Sequence, residues 1–228
     1  MSLRPASPLL APSLLSADFT RLGEELRMIE AAGAQVVHVD VMDGRFVPNI
    51  TIGLPVVESL RKATDLPLDC HLMIVEPLRY AADFVKAGAG WVSIHQEADP
   101  HLNRTLAAIR QAGGTAGVVL TPGTPVETPV DLVGDFDFAL PMRVNPAFAG
   151  PSSLPPALHT VKRLDALRTE RGVPFLIQVD GGVSLKNAAD LVRAGADCLV
   201  AGNAVFKAED PKAAAAALLR EMGAGRRA

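Results

Sequence analysis

The chain has 228 residues, of which 49% are hydrophobic, 21% are charged and 4% are aromatic, and it carries a formal net charge of -3. This composition is typical of a soluble globular protein that forms one large domain or two small ones. The slightly acidic charge and the scarcity of aromatic residues argue against a nucleic-acid partner, and no apolar run is long enough to span a membrane.

The cysteines and the N-terminal segment predict a cytoplasmic protein. Cys70 and Cys198 lie inside apolar, strand-like segments, which is typical of reduced cysteines in a protein core. Residues 1–11 carry one arginine, and Pro5 and Pro8 interrupt their short apolar patch, so this segment makes a poor signal peptide. Residues 1–7 and 223–228 are expected to be frayed termini.

Predicted strands and helices alternate along the chain. A short strand over residues 9–12 precedes a helix over 19–32, in which Leu22, Leu26 and Ile29 recur at helical spacing. The second strand is rich in valine and ends at Asp40. The remaining predicted elements are a helix over 55–63, a strand over 67–73, a helix over 77–87, a strand over 91–95, a helix over 102–111, a strand over 116–120, a short helix over 126–133, a strand over 136–142, a helix over 153–171, a strand over 174–180, a helix over 186–194, a strand over 197–201 and a helix over 211–222.

This alternation predicts an α/β protein with a single (β/α)8 TIM barrel over residues 1–228. Ala-Gly-Ala joints at Gly33, Gly88 and Gly195 separate helix from strand, and they form a weak internal repeat in which glycine caps the helix. An open doubly wound sheet is the alternative. It is disfavoured because the first strand is not followed by a glycine-rich dinucleotide-binding turn.

Histidines and aspartates lie where several predicted strands end. His38 and Asp40 share one face of the second strand, His71 ends the third, and Asp180 ends the seventh. Since the active site of such barrels lies at the C-terminal ends of the strands, we expect these side chains to lie together. Two imidazoles and two carboxylates suit Zn²⁺, Fe²⁺, Mn²⁺ or Co²⁺. A mutually hydrogen-bonded polar cluster without metal is the alternative.

Other residues near the strand ends have weaker signals. His95 is a further candidate ligand, but with Glu97 close by it is better interpreted as a structural or supporting residue. Met42, Met73 and Met142 are interpreted either as an apolar cover for the site or as ordinary core residues.

Three loops of small residues are predicted on the same rim of the barrel, after strands six, seven and eight. They are 145–150, 180–184 and 201–204. Small residues let backbone N–H groups approach an anion, and the loops after strands seven and eight commonly bind phosphate in such barrels. A metal beside two carboxylates and a phosphate site indicates proton removal next to a carbonyl, with one aspartate removing a proton and the other returning it on the opposite face.

Six motifs resemble the ribulose-phosphate 3-epimerase family, and the similarity runs from about residue 9 to residue 222. They are Ala11–Asp18, His38–Gly44, Phe46–Asn49, Leu68–Met73, Val144–Pro146 and Val179–Val183. The resemblance implies a barrel of the ribulose-phosphate-binding type. It also implies an isomerase that interconverts D-ribulose 5-phosphate and D-xylulose 5-phosphate in the pentose phosphate pathway, works on a small-molecule ketose phosphate and forms a homo-oligomer.

The resemblance also implies roles for individual residues. One divalent metal ion, Zn²⁺ or Fe²⁺ before Mn²⁺ or Co²⁺, would be bound by His38, Asp40, His71 and Asp180. Asp40 would accept the C3 proton and Asp180 would donate one, through a metal-stabilised ene-diolate. Substrate contacts would come from Ser13, His71, Ala147, Phe148, Ala149, Gly150, Asp180, Gly181, Gly182, Gly202 and Asn203.

The chain departs from the family in its phosphate loops. The family has Gly-Phe-Gly-Gly-Gln at 147–151, where this chain has two alanines and Pro151. The family also has a small residue at the position of Arg143 and a serine at the position of Asn203. Arg143 is expected either to clasp phosphate or to reach solvent. These departures keep allulose-6-phosphate 3-epimerase open as an alternative. A sugar-phosphate decarboxylase is a second hypothesis, and the absence of a lysine from the three charged strand ends argues against it. A non-catalytic phosphosugar-binding barrel is a third hypothesis.

Overall fold

The computed structural model describes residues 5–146 and 154–226, without the side chains of 154–157. Within them, eight parallel strands form one sheet that is nearly closed into a barrel. The spatial order is β1-β8-β7-β6-β5-β4-β3-β2. The strands are β1 (Leu9–Pro12), β2 (Val37–Met42), β3 (Leu68–Met73), β4 (Ala89–His95), β5 (Thr115–Leu120), β6 (Phe138–Pro141), β7 (Leu176–Val179) and β8 (Cys198–Ala201).

The remaining edge, between β1 and β2, is closed by individual hydrogen bonds. The Leu10 carbonyl accepts from the backbone N–H groups of Gln35 at 3.3 Å and Val36 at 3.4 Å, and the Gln35 side-chain oxygen accepts from the Leu10 N–H at 2.9 Å. An isolated parallel bridge joins Ser13 to His38. The predicted TIM barrel is therefore confirmed, and Ser13 is held beside β2.

The described helices surround the sheet. They are α1 (Leu22–Ala31), α2 (Leu54–Ala63), α3 (Ala81–Lys86), α4 (Leu102–Gln111), α5 (Leu154–Arg171), α6 (Ala188–Arg193), α7 (Asn203–Phe206) and α8 (Pro211–Arg226). Across the described residues, none of the helices combines the length and the apolar character needed to cross a bilayer.

The short helix predicted over 126–133 is present only in part and is not an α-helix. The structure has only a 3-10 turn there, Val130–Leu132, because Pro129 lacks a backbone N–H in the middle of the segment. The short helix α7 was not predicted. The last helix continues past 222 into the segment expected to fray, where buried Gly225 packs on α6 and Arg226 donates to the Pro5 carbonyl at 2.9 Å.

Alternate residues of each strand face opposite ways. Val37, Val39 and Val41 of β2 belong to the large apolar core that also contains helix side chains. The other face of β2 points into the barrel and carries His38 and Asp40, both buried. Since β3, β4 and β7 also direct polar side chains inward, the barrel interior collects buried polar groups, and each of them needs a partner.

Candidate functional site

The four predicted metal ligands meet at one end of the barrel. Asp40 of β2 lies directly across from His71 of β3 in the strand register, and Asp180 immediately follows β7. His38, Asp40, His71 and Asp180 each offer a ligand atom, and these atoms all lie within 4.8 Å of one another. The strand-end rule thus brings together side chains that are far apart in sequence.

Each histidine directs one specific nitrogen at the cluster. His38 Nε2 lies 3.4 Å from Asp40 Oδ1, while its Nδ1 lies 2.7 Å from Asp69 Oδ2. His71 Nδ1 lies 3.3 Å from the same Asp40 oxygen, while its Nε2 lies 2.9 Å from His95 Nε2. The two nitrogens that face Asp40 have no hydrogen-bond partner among the described residues, although both are buried.

These two buried nitrogens test whether a metal ion fits. Unpaired polar atoms in a protein interior are costly, and here both nitrogens lie beside two carboxyl groups. Imidazole nitrogens and carboxylate oxygens are ligands of divalent transition ions, and the other nitrogen of a metal-bound histidine is usually hydrogen-bonded, as it is here. The cluster could therefore hold a divalent metal ion.

Asp40 is held as a carboxylate. Ser13 Oγ donates to Asp40 Oδ2 at 2.5 Å, which leaves Oδ1 to face both histidines. Burial alone would raise the pKa of Asp40, but the neighbouring His38 and His71 outweigh it and hold the pKa well below its usual range. Asp40 is therefore ionised at neutral pH.

Asp180 has the opposite shift. Burial, followed by the charge of Asp40, raises the pKa of the Asp180 carboxyl. Its backbone carbonyl accepts from the Arg143 N–H at 3.0 Å, and this bond fixes the residue at the end of β7. Two carboxyl groups whose environments push their pKa values apart are suited to opposite proton-transfer roles.

A cavity of about 410 Å³ opens above the two aspartates. Its lining includes the three methionines predicted as an apolar cover, Met42, Met73 and Met142. The other predicted residues that line it are Ser13, Asp40, Asp180, Gly181, Gly182, Gly202 and Asn203. His38 and His71 are fully buried and do not line it. Leu15, Ser16 and Val144 also line the cavity and were not predicted as site residues, although all three lie in the quoted motifs.

Residues of all three predicted phosphate loops form part of this lining. Gly181 adopts a φ of +102°, which favours glycine, and a Cβ on Gly202 would lie 2.5 Å from Ser16 Oγ. Ser16 Oγ in turn donates to Asn203 Oδ1 at 3.0 Å. Arg143 Nη1 donates to the Gly182 carbonyl at 3.3 Å and does not line the cavity. In the third predicted loop, 145–150, Asn145 lines the cavity. Ala147, Phe148, Ala149 and Gly150, with the neighbouring Pro151, lie outside the described residues.

Sequence reasoning missed the partners of the histidines in part. His95 was expected to support the site, and it does contact His71. No role was predicted for Asp69 or Gln178, yet Gln178 Nε2 donates to Asp69 Oδ2 at 2.5 Å beside His38. The available signal was strand alternation, since Asp69 precedes His71 by two residues, as Gln178 precedes Asp180.

Comparison with known proteins places the chain in a family. The model of the ribulose-phosphate 3 epimerase family matches residues 9–206. The chain is 50% identical over 206 residues to the ribulose-phosphate 3-epimerase of Bacillus subtilis, covering 90% of this chain and 95% of that one. It is 51% identical over 201 residues to the enzyme of the same name from Synechocystis, covering 87% of each.

The fold is shared more widely. The solved structure of KGPDC from Streptococcus mutans in complex with D-R5P has a TM-score of 0.73 to this chain at 21% identity, covering 94% of this chain and 97% of that one. At that identity the likeness concerns the barrel alone. The family model and the two relatives extend over most of the sequence, and the chain belongs to the ribulose-phosphate 3-epimerase family.

Proposed function

We propose that this chain interconverts D-ribulose 5-phosphate and D-xylulose 5-phosphate by inverting C3. The observation that carries the proposal is the pair of carboxyl groups of Asp40 and Asp180, which line one cavity and have opposite pKa shifts. Inversion requires one group that removes a proton and another that returns it. Family membership supplies the substrate class.

The metal would be held by His38 through Nε2, His71 through Nδ1, and the carboxylates of Asp40 and Asp180. Zn²⁺ and Fe²⁺ are the proposed ions, since both accept imidazole and carboxylate ligands. When bound, such an ion would act as a Lewis acid and stabilise the negative charge that develops on the substrate oxygens.

Asp40 accepts the C3 proton because its low pKa keeps it ionised. The Ser13 hydroxyl, which donates to Oδ2, orients the carboxylate and touches the substrate beside it. Asp180 returns a proton to the opposite face because its raised pKa favours the protonated form. In the reverse direction the two residues exchange roles.

The cavity wall supports both the acid and the phosphate. Met42, Met73 and Met142 exclude water from the reacting carbon, and a drier site favours the neutral form of Asp180. Backbone N–H groups at 181–182 and 202–203 would bind the phosphate. We propose the same role for 147–150, and we propose that Arg143 acts on phosphate binding indirectly, by holding the Gly182 carbonyl.

A second candidate substrate is allulose 6-phosphate. It is favoured by the altered residues at 147–151 and by Asn203, whose side-chain oxygen accepts a hydrogen bond from Ser16 Oγ. One Zn²⁺-loaded preparation assayed on both ketose phosphates decides between the substrates. Binding of a ribulose-phosphate analogue without turnover would favour a non-catalytic barrel instead, and release of carbon dioxide would indicate a decarboxylase.

We further propose that the chain forms one domain and works as a cytoplasmic homo-oligomer, without nucleic-acid or membrane partners. Light scattering coupled to gel filtration tests the oligomeric state. A monomeric mass across the working concentration range would contradict it.

A further inference from the structure

Three side chains form a hydrogen-bonded chain that ends at the cluster. Glu97 lies in the 3-10 turn Gln96–Ala98 after β4, and its Oε2 lies 3.3 Å from Nδ1 of His95. Nε2 of His95 lies 2.9 Å from Nε2 of His71. Both histidines are fully buried. The far end of the chain is Nδ1 of His71, which faces Asp40 Oδ1 at 3.3 Å.

The direction of these hydrogen bonds follows from Glu97. Its Oε1 accepts from the Thr121 N–H at 2.9 Å and from the Thr124 hydroxyl. Burial alone would raise the pKa of Glu97, but the hydrogen bonds from His95, Thr124 and Thr121 lower it to about 2. Glu97 is therefore a carboxylate at neutral pH, and a carboxylate only accepts hydrogen bonds.

An acceptor at Glu97 decides which nitrogen of His95 carries a proton. Nδ1 of His95 must donate. Both rings are fully buried and meet nitrogen to nitrogen, and burial favours the neutral form of an imidazole, which has a single N–H. Nε2 of His95 is therefore an acceptor, and Nε2 of His71 must donate to it.

We infer that Glu97 is a positioning residue for the metal centre, acting through His95 to hold a proton on Nε2 of His71 and leave Nδ1 available to the ion. With the opposite polarity, an N–H of His71 would point at the cluster, and an ion could bind that nitrogen only by displacing the proton. The Phe46 ring packs against His95, and their ring centroids are 4.7 Å apart. The inference rests on the proposed function in that it takes Nδ1 of His71 as a metal ligand.

Glu97→Gln is expected to reverse the direction of the hydrogen bonds that run from residue 97 through His95 to His71, without moving these side chains. The Thr121 N–H and Thr124 hydroxyl both donate to Oε1, so they would retain the amide oxygen of glutamine. The amide NH₂ would then face Nδ1 of His95 and force that nitrogen to accept. The proton of His95 would move to Nε2, and His71 would lose its acceptor. Loss of such a supporting partner typically reduces metal affinity about 10- to 100-fold.

The experiment has two readouts besides activity. Side-chain ¹H–¹⁵N correlation spectra of the metal-free protein at neutral pH locate the ring proton of His95, and competition with a chelator measures Zn²⁺ affinity. We expect Nδ1–H in the wild type, Nε2–H in Glu97→Gln, and a 10- to 100-fold weaker Zn²⁺ affinity in the variant. Glu58→Gln makes the same charge change on the exposed side of α2 and should leave both readouts unchanged.

Two results would overturn the inference. One is a proton on Nε2 of His95 in the wild type, which remains decisive even if Glu97→Gln fails to fold. The other is a folded Glu97→Gln protein whose Zn²⁺ affinity is within twofold of the wild type. A wild-type protein that binds no Zn²⁺ would instead refute the proposed metal site. The spectrum would still decide the direction of the hydrogen bonds between Glu97, His95 and His71.

Discussion

Replacement of Asp180 by asparagine should separate proton removal from inversion. Asp40 and Asp180 are the only carboxylic acids among the described residues that line the cavity, so no other acid there can return a proton to the second face. Proton transfer by a positioned side chain contributes roughly 10²- to 10⁴-fold to a rate. We expect epimerisation by Asp180→Asn to fall by about that factor, which corresponds to about 3–5 kcal/mol of transition-state stabilisation.

The assay follows the C3 hydrogen in D₂O. Asp40 and its Ser13 hydrogen bond are unchanged in Asp180→Asn, so the variant should still exchange the C3 hydrogen of the epimer that presents it to Asp40. The other epimer should form only at the reduced rate. ¹H NMR measures exchange, and a coupled assay measures inversion on the same sample. Zn²⁺ should remain bound, because His38, Asp40 and His71 are retained.

Asp190→Asn provides the matched control. The Asp190 side chain is 45% exposed and pairs with Arg193 on α6, so both reactions should proceed at the wild-type rate. Inversion by Asp180→Asn within tenfold of the wild type, with the metal bound, would show that Asp180 does not return the proton. The two-aspartate mechanism would then be wrong.

Three further predictions concern the metal, the phosphate rim and a loop. Burial opposes the charged form of His38, but Asp40 and Asp69 raise its pKa well above the usual value. Zn²⁺ must therefore displace a proton from His38. Calorimetry in two buffers should show proton release on Zn²⁺ binding, and the Zn²⁺ affinity should rise as pH rises towards that pKa. Gly202→Ala places a Cβ 2.5 Å from Ser16 Oγ and should raise the KM for the ketose phosphate about tenfold, with the Ser16→Ala, Gly202→Ala double variant recovering part of the loss. Asp43 Oδ2 accepts from the Val75 N–H at 2.8 Å, a bond lost in Asp43→Asn, so urea unfolding at pH 7 should show a loss of about 1 kcal/mol. Burial would raise the pKa of Asp43, but hydrogen bonds from Val75, Arg45 and Phe46 lower it. The difference in stability between the wild type and Asp43→Asn should therefore persist above the unfolded-state pKa and shrink as pH falls through the folded-state value.

Much of the fold follows from local patterns. Alternating strand and helix signals predicted the barrel because each element carries its own periodicity, of about two or 3.6 residues. Local chemistry was less reliable where two tendencies compete, as at Pro129, which prevents an α-helix in an otherwise suitable segment. The short helix α7 gave no such signal, since four residues are too few to show helical periodicity.

The sequence by itself also placed His38, Asp40, His71 and Asp180 at strand ends, and the general rule for barrels brought them together. Only the tertiary structure decided which atoms meet. That Asp69 contacts His38 and that His95 contacts His71 depends on how neighbouring strands are paired, and this register is set by contacts across the whole barrel. The opposite pKa shifts of Asp40 and Asp180 likewise arise from burial and from the charges around each carboxyl, which are properties of the assembled site and of no single segment.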